Sequence, residues 1–370
     1  MSRIDRRRLL IQPLAERHSK LNIEQIAVSP DTPPPALGPV EAARVARTAD
    51  HMVQARRAGK PVMLTFGAHL VKNGLAPVVI RLLEDGWVTH LATNGAGSIH
   101  DWEFAYQGQS SEDVRGNVAR GQFGTWEETG RAINLAVAVG GMTDLGYGRS
   151  VGKLIAEDGL VIPTREALQA EIVHLAAQSA PDETLGALAD MLYLVSTFSL
   201  PPGEMAIRHP LKEYSLQYAA YRLGINFTVH PGIGYDIIYT HPMNCGGAIG
   251  RGAVRDFLTY AGSVRQLAGG VHLVVGSAIM APMIFEKALS ISNNLALQED
   301  GRAITGHNLV INDMQEGGDW DWSQGEPPME HPAYYLRFCK TFYRMGGELD
   351  YVCLDNRAFL LALWHALKAL

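Results

Sequence analysis

Five short segments rich in Gly, Asn, Asp and His follow apolar runs of the sequence and carry its most suggestive chemistry. They are Gly67-Ala68-His69, Asn94-Gly95-Ala96-Gly97, Gly276-Ser277, Asn312-Asp313 and Asp355-Asn356. In open α/β sheets, ligands bind outside the carboxyl ends of strands, where glycine lets the backbone approach a pyrophosphate and a carboxylate accepts from ribose hydroxyls. The segments therefore predict a nucleotide site. The alternative is a set of ordinary turns, since Gly and Asn are common there and no GxGxxG or P-loop motif is present.

His100 is the first candidate for proton transfer, and His69 is the second. His100 follows a predicted strand end closely, and histidine is the natural acid or base near neutral pH. A histidine facing a cofactor could take the proton from an amine or alcohol as hydride leaves. The alternative is a histidine at a helix N-terminus whose neighbour, Asp101, caps the next helix.

His230, His241 and Cys245 are ligand types that suit zinc. Their spacing matches no defined metal pattern and crosses a predicted strand. We therefore predict no metal, and we interpret the three as structural histidines and a buried thiol. Cys245 as a nucleophile is an alternative without a paired signature.

Composition excludes several classes of protein. The chain has 370 residues, 32 Lys+Arg against 38 Asp+Glu and a formal charge of -6, with no basic tract, which excludes a typical nucleic-acid binder. Its three cysteines are an odd number without a close pair, so a disulfide framework is excluded and a cytoplasmic location is expected. We expect no membrane span and no signal peptide, because no long apolar run follows the basic start.

The elements that would position these residues alternate between strands and helices, which predicts a parallel sheet. A Pro-rich break at 29–39 separates an N-terminal arm, 1–39, from an α/β domain, 40–370, with a mostly helical insertion at 104–225. Within that insertion, 104–160 is Gly-rich and is predicted to be irregular. Predicted strands are 62–66, 88–92, 226–229, 237–239, 271–275, 309–311 and 351–354; predicted helices are 40–57, 76–85, 252–266, one from about 282, and one at the C-terminus.

Residues 62–103, VMLTFGAHLVKNGLAPVVIRLLEDGWVTHLATNGAGSIHDWE, resemble deoxyhypusine synthase without a gap. The similarity recurs, in order, at Gly232-Ile233-Gly234-Tyr235-Asp236, at 274–278, at 311–316 and at 354–357. It extends over roughly 60–370, with 104–225 only loosely similar.

This resemblance implies a Rossmann-like parallel sheet with helices on both faces, bound NAD, and a homotetramer with active sites between subunits. Family members oxidise spermidine with NAD and transfer its aminobutyl group through an imine on a lysine; similar homospermidine synthases transfer it to another small amine. Together with the strand-end pattern, the resemblance predicts cofactor contacts from Thr93, Asn94, Gly95, Gly97, Gly276, Ser277, Asn312, Asp313, Asp355 and Asn356, besides the two histidines.

The sequence departs from the family at the catalytic lysine, whose position holds Leu336. Leucine cannot form an imine, and the neighbouring Arg337 stays protonated. Lys340 lies one helical turn further and could substitute only if the loop shifted. The sequence also departs from the family at Ala281 and Pro282, where the family has a lysine and a histidine.

Carboxylates for an amine are retained. Asp236, Asp321 and Glu330 lie at or near positions that hold polyamine nitrogens in the family, and Glu330 is also a candidate catalytic residue. Tyr334, with the tryptophans of 319–322, could form apolar walls or a cation–π face. The alternative is an exposed loop whose tryptophans pack beneath their neighbours.

These observations favour an NAD-dependent transferase or oxidoreductase that transiently oxidises a small cationic amine. A polyamine is one candidate substrate, and no protein lysine would be modified. Two alternatives stay open: a catalytically silent protein that binds NAD or a metabolite, and aminobutyl transfer to a small amine. Asp313 and Asp355 favour NAD over NADP, because a carboxylate near the ribose repels a 2′-phosphate.

Overall fold

The computed structural model describes residues 3–178 and 183–370. The chain forms two compact units. The first unit contains the residues up to Gln25, Ser98–Arg222 and Thr228–Asp256; the second contains Ile26–Gly97, Leu223–Phe227 and Phe257–Leu370. The division expected from the sequence, an arm of 1–39 before one domain, remains a prediction, because compactness does not establish which segments fold independently.

The described residues form ten strands and fifteen α-helices. The strands are β1 Ser19–Asn22, β2 Val62–Phe66, β3 His90–Asn94, β4 Gln109–Glu112, β5 Gly159–Ile162, β6 Gly203–Ala206, β7 Asn226–His230, β8 Val271–Val275, β9 Asn308–Asp313 and β10 Glu348–Cys353. The helices are α1 Ile23–Ile26, α2 Pro39–Arg57, α3 Ala68–Lys72, α4 Ala76–Glu84, α5 Gly95–Gln107, α6 Val114–Ala119, α7 Glu127–Gly141, α8 Tyr147–Glu157, α9 Arg165–Ala176, α10 Thr184–Phe198, α11 Leu216–Leu223, α12 Gly246–Arg265, α13 Met280–Glu299, α14 Arg337–Tyr343 and α15 Asn356–Lys368. Short 3-10 helices cover Arg6–Arg8, Leu14–Glu16, Lys212–Tyr214, Ile237–Tyr239, Trp322–Gln324 and Pro332–Tyr335.

The main sheet has six strands in the order β10-β9-β8-β2-β3-β7. The pairings from β10 through to β3 are parallel. Counted along the chain and from the opposite edge, this order is 3-2-1-4-5-6, that of doubly wound dinucleotide-binding sheets. The fold is therefore Rossmann-like, and the predicted fold class is confirmed.

Continuous apolar runs explain the central strands. All five residues of β2 and of β8 are buried, as expected for parallel strands covered on both faces. Helix α2 packs on β2, β8 and β10, and α15 packs on β9. The alternate strand residues, such as Met63 and Val274, share a core with side chains from α12, α13 and α14. Helices thus flank both faces.

The segment 104–160 contains four helices or helix parts, so the prediction that it is irregular was wrong. Some of its glycines, such as Gly121 and Gly124 with positive φ, lie in turns, whereas others mark close packing between helices. A Cβ on Gly140 of α7 would lie 1.9 Å from the Ser150 hydroxyl oxygen of α8. One on Gly152 would lie 2.6 Å from the Gln217 carbonyl oxygen of α11. Small residues here let three helices approach one another.

Two further sequence predictions were displaced. Residues 237–239 are predicted as a strand but form a 3-10 helix. Three apolar residues are too few to show the alternation of buried and exposed side chains that identifies a strand. The strand expected at 88–92 is β3, two residues later, so Thr93 and Asn94 end the strand and Gly95 opens α5 without a loop. None of the helices in the described ranges is long and apolar enough to cross a membrane.

Candidate functional site

The sheet reverses its winding direction between β2 and β8. From β2 the chain proceeds to β3 and β7 on one side, and it then returns to β8 on the other. Ligands of open α/β sheets bind at this switch point, outside the carboxyl ends. Gly67 follows β2 and Gly276 follows β8 there. A Cβ on Gly67 would lie 2.1 Å from the Gly276 carbonyl oxygen, and Gly276 has a φ of 59°, so both positions favour glycine.

A cavity of about 260 Å³ lies in the second unit at these strand ends. Residues that follow or end β2, β8, β9 and β10 line it: His69, Asn73, Gly276, Asn312, Asp313, Met314, Leu354 and Asn356. Five of them were predicted from the sequence as cofactor or acid/base residues, namely His69, Gly276, Asn312, Asp313 and Asn356. Four separate segments of sequence therefore meet in one place.

Asn312 is the most informative residue of this cavity. It is 1% exposed, and its side-chain nitrogen donates to the carbonyl oxygens of Val352 (3.1 Å) and Leu354 (2.8 Å). Its Oδ1 atom is buried and has no hydrogen-bond partner among the described residues. An unsatisfied buried acceptor costs about 1–3 kcal/mol. A ligand donor that reached this atom would remove the cost.

Asn73 also lines the cavity, and sequence reasoning missed it. Its side-chain nitrogen donates to Asn356 Oδ1 at 2.8 Å. Asn73 lies four residues after His69 across the short helix α3, and the i,i+4 spacing that places both on one face could have identified it. Met314 and Leu354 carried no comparable signal, because they are apolar neighbours of the predicted polar residues.

Asp313 and Asp355 differ in their placement. Asp313 Oδ1 accepts from the backbone nitrogens of Met314 (2.8 Å) and Gln315 (3.1 Å), and the residue lines the cavity. Asp355 is exposed and caps α15 by accepting from the Arg357 backbone nitrogen at 2.9 Å. It is not among the residues that line the cavity.

The end of β3 forms a tight turn of its own. Thr93 Oγ1 donates to the Phe66 carbonyl oxygen at 2.9 Å, and Asn94 Oδ1 accepts from the Gly97 nitrogen at 2.8 Å. A Cβ on Gly97 would lie 2.1 Å from Thr93 Oγ1. Thr93, Asn94, Gly95 and Gly97 thus shape the β3–α5 junction and do not line the cavity. Ser277 is likewise a local contact, since its hydroxyl accepts from the Ala281 nitrogen at 3.3 Å.

His100 belongs to the first unit and ends a chain of buried polar groups. Arg17 and Glu103 form a two-pronged ion pair at 2.7 and 2.8 Å, with side chains 2% and 1% exposed. Although burial alone would raise it, Arg17 holds the pKa of Glu103 below its usual value. Ser110 donates its single hydroxyl proton to Glu103 at 2.5 Å, so His100 Nδ1, 2.7 Å from that hydroxyl, must be the donor there. The ring is thus held by a hydrogen bond from Nδ1 to Ser110.

Asp101, next to His100, caps a helix distant in sequence. It accepts from the Ser215 hydroxyl (2.6 Å), the Leu216 nitrogen (2.7 Å) and the Gln217 nitrogen (3.2 Å) at the start of α11. Burial raises its pKa above the usual value. The predicted capping role is therefore real, but it concerns α11.

Asp236 is a buried carboxylate of the first unit. It is 6% exposed, its Oδ2 accepts from the Gly232 nitrogen at 2.8 Å, and burial raises its pKa to about 6. The phenol oxygens of Tyr147 and Tyr239 are buried, Tyr147 near Ser98 and Tyr239 without a hydrogen-bond partner among the described residues. Burial and the charge of Asp236 raise the pKa of both phenols. A carboxylate in such surroundings is suited to an ammonium group.

The other candidate amine ligands are in the second unit and are less suited to that role. Asp321 is exposed, and it accepts from the Ser323 nitrogen (2.9 Å) and hydroxyl (2.7 Å) as the cap of a 3-10 helix. Glu330 is exposed. The ring of Tyr334 is covered by Lys340, whose ammonium lies 3.4 Å from the ring centroid. The cation–π face therefore already has an occupant from the same chain.

The family's lysine position lies in the core. Leu336 is 1% exposed and belongs to the hydrophobic cluster around α13 and α14. A Cβ on Gly317 would lie 2.4 Å from the Leu336 side chain, so the packing around it is tight. Trp322 is 3% exposed and belongs to the same cluster, which agrees with the packed-loop alternative for this tryptophan.

His230, His241 and Cys245, whose side chains could ligate zinc, each have another partner. His241 Nε2 lies 3.1 Å from a Glu127 carboxylate oxygen, and the Cys245 thiol donates to Asp190 at 3.3 Å. His230 Nε2 lies 3.1 Å from the Thr228 hydroxyl oxygen, and burial lowers the pKa of His230 to about 3. Within the ranges that the structure describes, no group of three or more His, Cys, Asp or Glu side chains could hold a metal ion.

Comparisons with known proteins bring no family assignment: no family model and no curated protein matches the sequence. Among solved structures, it is similar to ArgZ, an arginine dihydrolase from the ornithine-ammonia cycle in cyanobacteria, with 16% identity and a TM-score of 0.43 over 89% of this chain and 33% of that one. AgrE in complex with ornithine and NAD+ gives 14% identity and a TM-score of 0.45 over 90% and 34%. A conserved LOR/SDH-like protein from Methanococcus maripaludis S2 gives 12% identity and a TM-score of 0.43 over 98% of this chain and 76% of that one.

This chain thus spans about a third of the length of ArgZ and AgrE. Likenesses this distant carry no argument about its chemistry. The fold and the site rest on the strand order and side chains of the chain itself, and the resemblance to deoxyhypusine synthase remains an interpretation of its motifs.

Proposed function

We propose that the protein is an NAD-dependent enzyme that acts on a small cationic amine by transient oxidation. The observation that carries the proposal is the cavity at the switch point of a 3-2-1-4-5-6 sheet, lined by Asn312, whose buried Oδ1 atom has no hydrogen-bond partner among the described residues. At about 260 Å³ it is smaller than typical ligand pockets, so it would enclose part of a dinucleotide, the remainder lying outside it. His69, Asn312 and Asp313 would contact the cofactor.

Bound NAD would supply a hydride acceptor. The task of the protein is then to orient the amine and to remove a proton as hydride leaves. Asp236 is the carboxylate best suited to an ammonium, because it is buried and lies near the phenol of Tyr239, which lacks a partner among the described residues. Three other residues are weaker proposals for the same role. Glu330 and Asp321 are exposed, and the ring of Tyr334 is already covered by Lys340.

His100 is the proposed base. Histidine exchanges protons near neutral pH, and the Arg17–Glu103 pair holds Ser110, which in turn holds the imidazole of His100 through Nδ1. His69, exposed at the cavity wall, is the alternative base and the proposed cofactor contact.

A silent protein that binds NAD or a metabolite is the second candidate. The packing of Leu336 in the core supports it, because transfer through an enzyme imine has no lysine at that position. Aminobutyl transfer to a small amine would need direct attack on an imine not held by the enzyme. A polyamine substrate, a homotetramer with sites between subunits and a cytoplasmic location remain predictions from the resemblance.

The test is a calorimetric titration of the full chain with NAD, alone and with spermidine. We expect NAD to bind, spermidine to tighten it, and the His69→Ala and Asp313→Asn variants to weaken it; His174→Ala, a change at an exposed histidine of α9, is the control. Failure of NAD to bind at millimolar concentration refutes the cofactor proposal. NAD binding without any response to amines, and without turnover, favours the silent alternative.

A further inference from the structure

The first unit contains a second cavity that the proposed function does not use. Its volume is about 620 Å³, within the range of small-molecule pockets. The N-terminal turn of α7, the end of α5 and the end of β6 line it, and its wall carries Glu127, Glu128, Arg131 and Arg208. Two carboxylates and two guanidinium groups therefore share one cavity.

The carboxylates are unequally engaged. Glu127 lies 3.5 Å from Arg131 and 3.1 Å from His241 Nε2, and the hydrogen bond from His241 holds its pKa below the usual value. Glu128 accepts from the Leu14 backbone nitrogen through Oε2 at 2.6 Å. Its other oxygen, Oε1, has no partner among the described residues. Glu128 is therefore the carboxylate with capacity for a cation.

The guanidinium groups have more donors than partners. Arg131 Nε is buried without a hydrogen-bond partner in the described part of the chain, and its one ion pair, with Glu127, is long at 3.5 Å. Arg208, exposed at the rim, makes no hydrogen bond or ion pair with the described residues. Guanidinium donors in a fork match a carboxylate group well. Arg131 and Arg208 are thus suited to an anionic group.

An aromatic ring and the end of strand β6 also line the cavity. Tyr106 stacks on Trp102 with centroids 4.8 Å apart, and burial and the charge of Glu128 raise the pKa of its phenol, which stays a neutral donor. Strand β6 pairs with β5 alone, so its other edge carries backbone groups outside the ladder. A short carbon chain could lie against this wall.

We infer that this cavity binds a small zwitterion, a molecule with one ammonium and one carboxylate group, such as an amino acid. The ammonium would pair with Glu128 and the carboxylate with Arg131 and Arg208. The formal charges of the four side chains cancel. A ligand with one charge would therefore leave an unbalanced charge in a half-closed space, whereas a dipolar ligand pairs with both signs.

The test uses four probes of equal carbon number in calorimetric titrations of the full chain at low ionic strength. L-2-aminobutanoate and 4-aminobutanoate are zwitterions with adjacent and separated charges, whereas butanoate and butylamine carry one charge each. We expect at least one zwitterion to bind roughly tenfold more tightly than either singly charged probe. Comparable binding of butanoate identifies an anion site and overturns the inference, as does the absence of zwitterion binding at 10 mM.

Two variants then locate the site. Glu128→Gln keeps an acceptor for the Leu14 nitrogen, and Arg208→Gln changes an exposed side chain, so both should fold. Each should weaken zwitterion binding roughly tenfold, whereas Arg149→Gln, an exposed arginine of α8 outside the cavity, should not. Zwitterion affinity unchanged in both variants overturns the placement. NAD titrations of the same proteins should be unaffected, which separates this inference from the proposed cofactor site.

Discussion

His272 gives the sharpest prediction about stability, because it is a histidine held neutral in the interior of the second unit. It is 0% exposed, and its Nε2 lies 2.9 Å from the Thr65 hydroxyl and 3.3 Å from the Tyr260 hydroxyl. Phe285 packs on its ring at a centroid distance of 4.8 Å. Burial lowers its pKa from 6.5 to about 3.

The direction in which stability changes with pH follows from proton linkage. Between pH 6.5 and 3 the unfolded histidine binds a proton and the folded one does not, so acid favours unfolding. The stability present above pH 6.5 is lost progressively as the pH falls towards the folded pKa. At pH 5 the difference amounts to about 2 kcal/mol for one such histidine. His230, with a pKa lowered to about 3, and His209, lowered to about 4, should add losses of similar sign.

The assay is urea unfolding of wild type and His272→Leu at pH 7.5 and pH 5.0. The variant should be less stable at both pH values, because the Thr65 and Tyr260 hydroxyls lose a partner, but its loss of stability between them should be smaller than that of wild type by about 2 kcal/mol. His174→Leu, at an exposed histidine, should keep the wild-type pH dependence. If His272→Leu loses as much stability as wild type between the two pH values, the buried-neutral assignment is wrong.

Three further predictions concern other parts of the chain. Glu103→Gln should cost about 3–5 kcal/mol in urea unfolding because it leaves a buried guanidinium unpaired, and adding Arg17→Met should recover part of this loss; an additive double variant would contradict the pairing. Leu336→Lys should lower the melting temperature and should yield no borohydride-trapped adduct with amine substrates, since the side chain lies in the core; a trapped adduct would refute this. NADP should bind within about tenfold of NAD in calorimetry, because Asn94, rather than a carboxylate, ends β3; strong preference for NAD would contradict it.

The parallel sheet was predictable because its signals are local. Five-residue apolar runs such as β2 and β8 are too short for buried helices and are bounded by Gly, and both were located to the residue. The alternation of strands and helices then predicts a doubly wound sheet. The prediction for residues 104–160 was wrong because the contacts that matter there join helices distant in the sequence. A glycine that lets two helices approach, such as Gly152, looks the same in one sequence as a glycine that breaks a helix.

The sequence predicts the location of the candidate site better than it predicts which residues line it. Because carboxyl ends of parallel strands meet at one edge, polar residues after β2, β8, β9 and β10 had to approach one another, and His69, Gly276, Asn312 and Asp313 do. Which of two adjacent polar residues enters the cavity depends on the turn. Asp355 caps α15 while Asn356 lines the cavity, and no spacing in the sequence distinguishes them.

Strand order also changes the argument about cofactor choice. Asp313 and Asp355 are the carboxylates that the sequence predicts to select NAD, but Asp313 ends the fifth strand of the doubly wound order and Asp355 follows the sixth. In such sheets the acidic residue that accepts from the ribose hydroxyls ends the second strand, which here is β3. That strand ends at Asn94, whose Oδ1 already accepts from the Gly97 nitrogen. A 2′-phosphate would therefore meet no carboxylate at this position, so discrimination against NADP would have to come from residues other than those the sequence suggested.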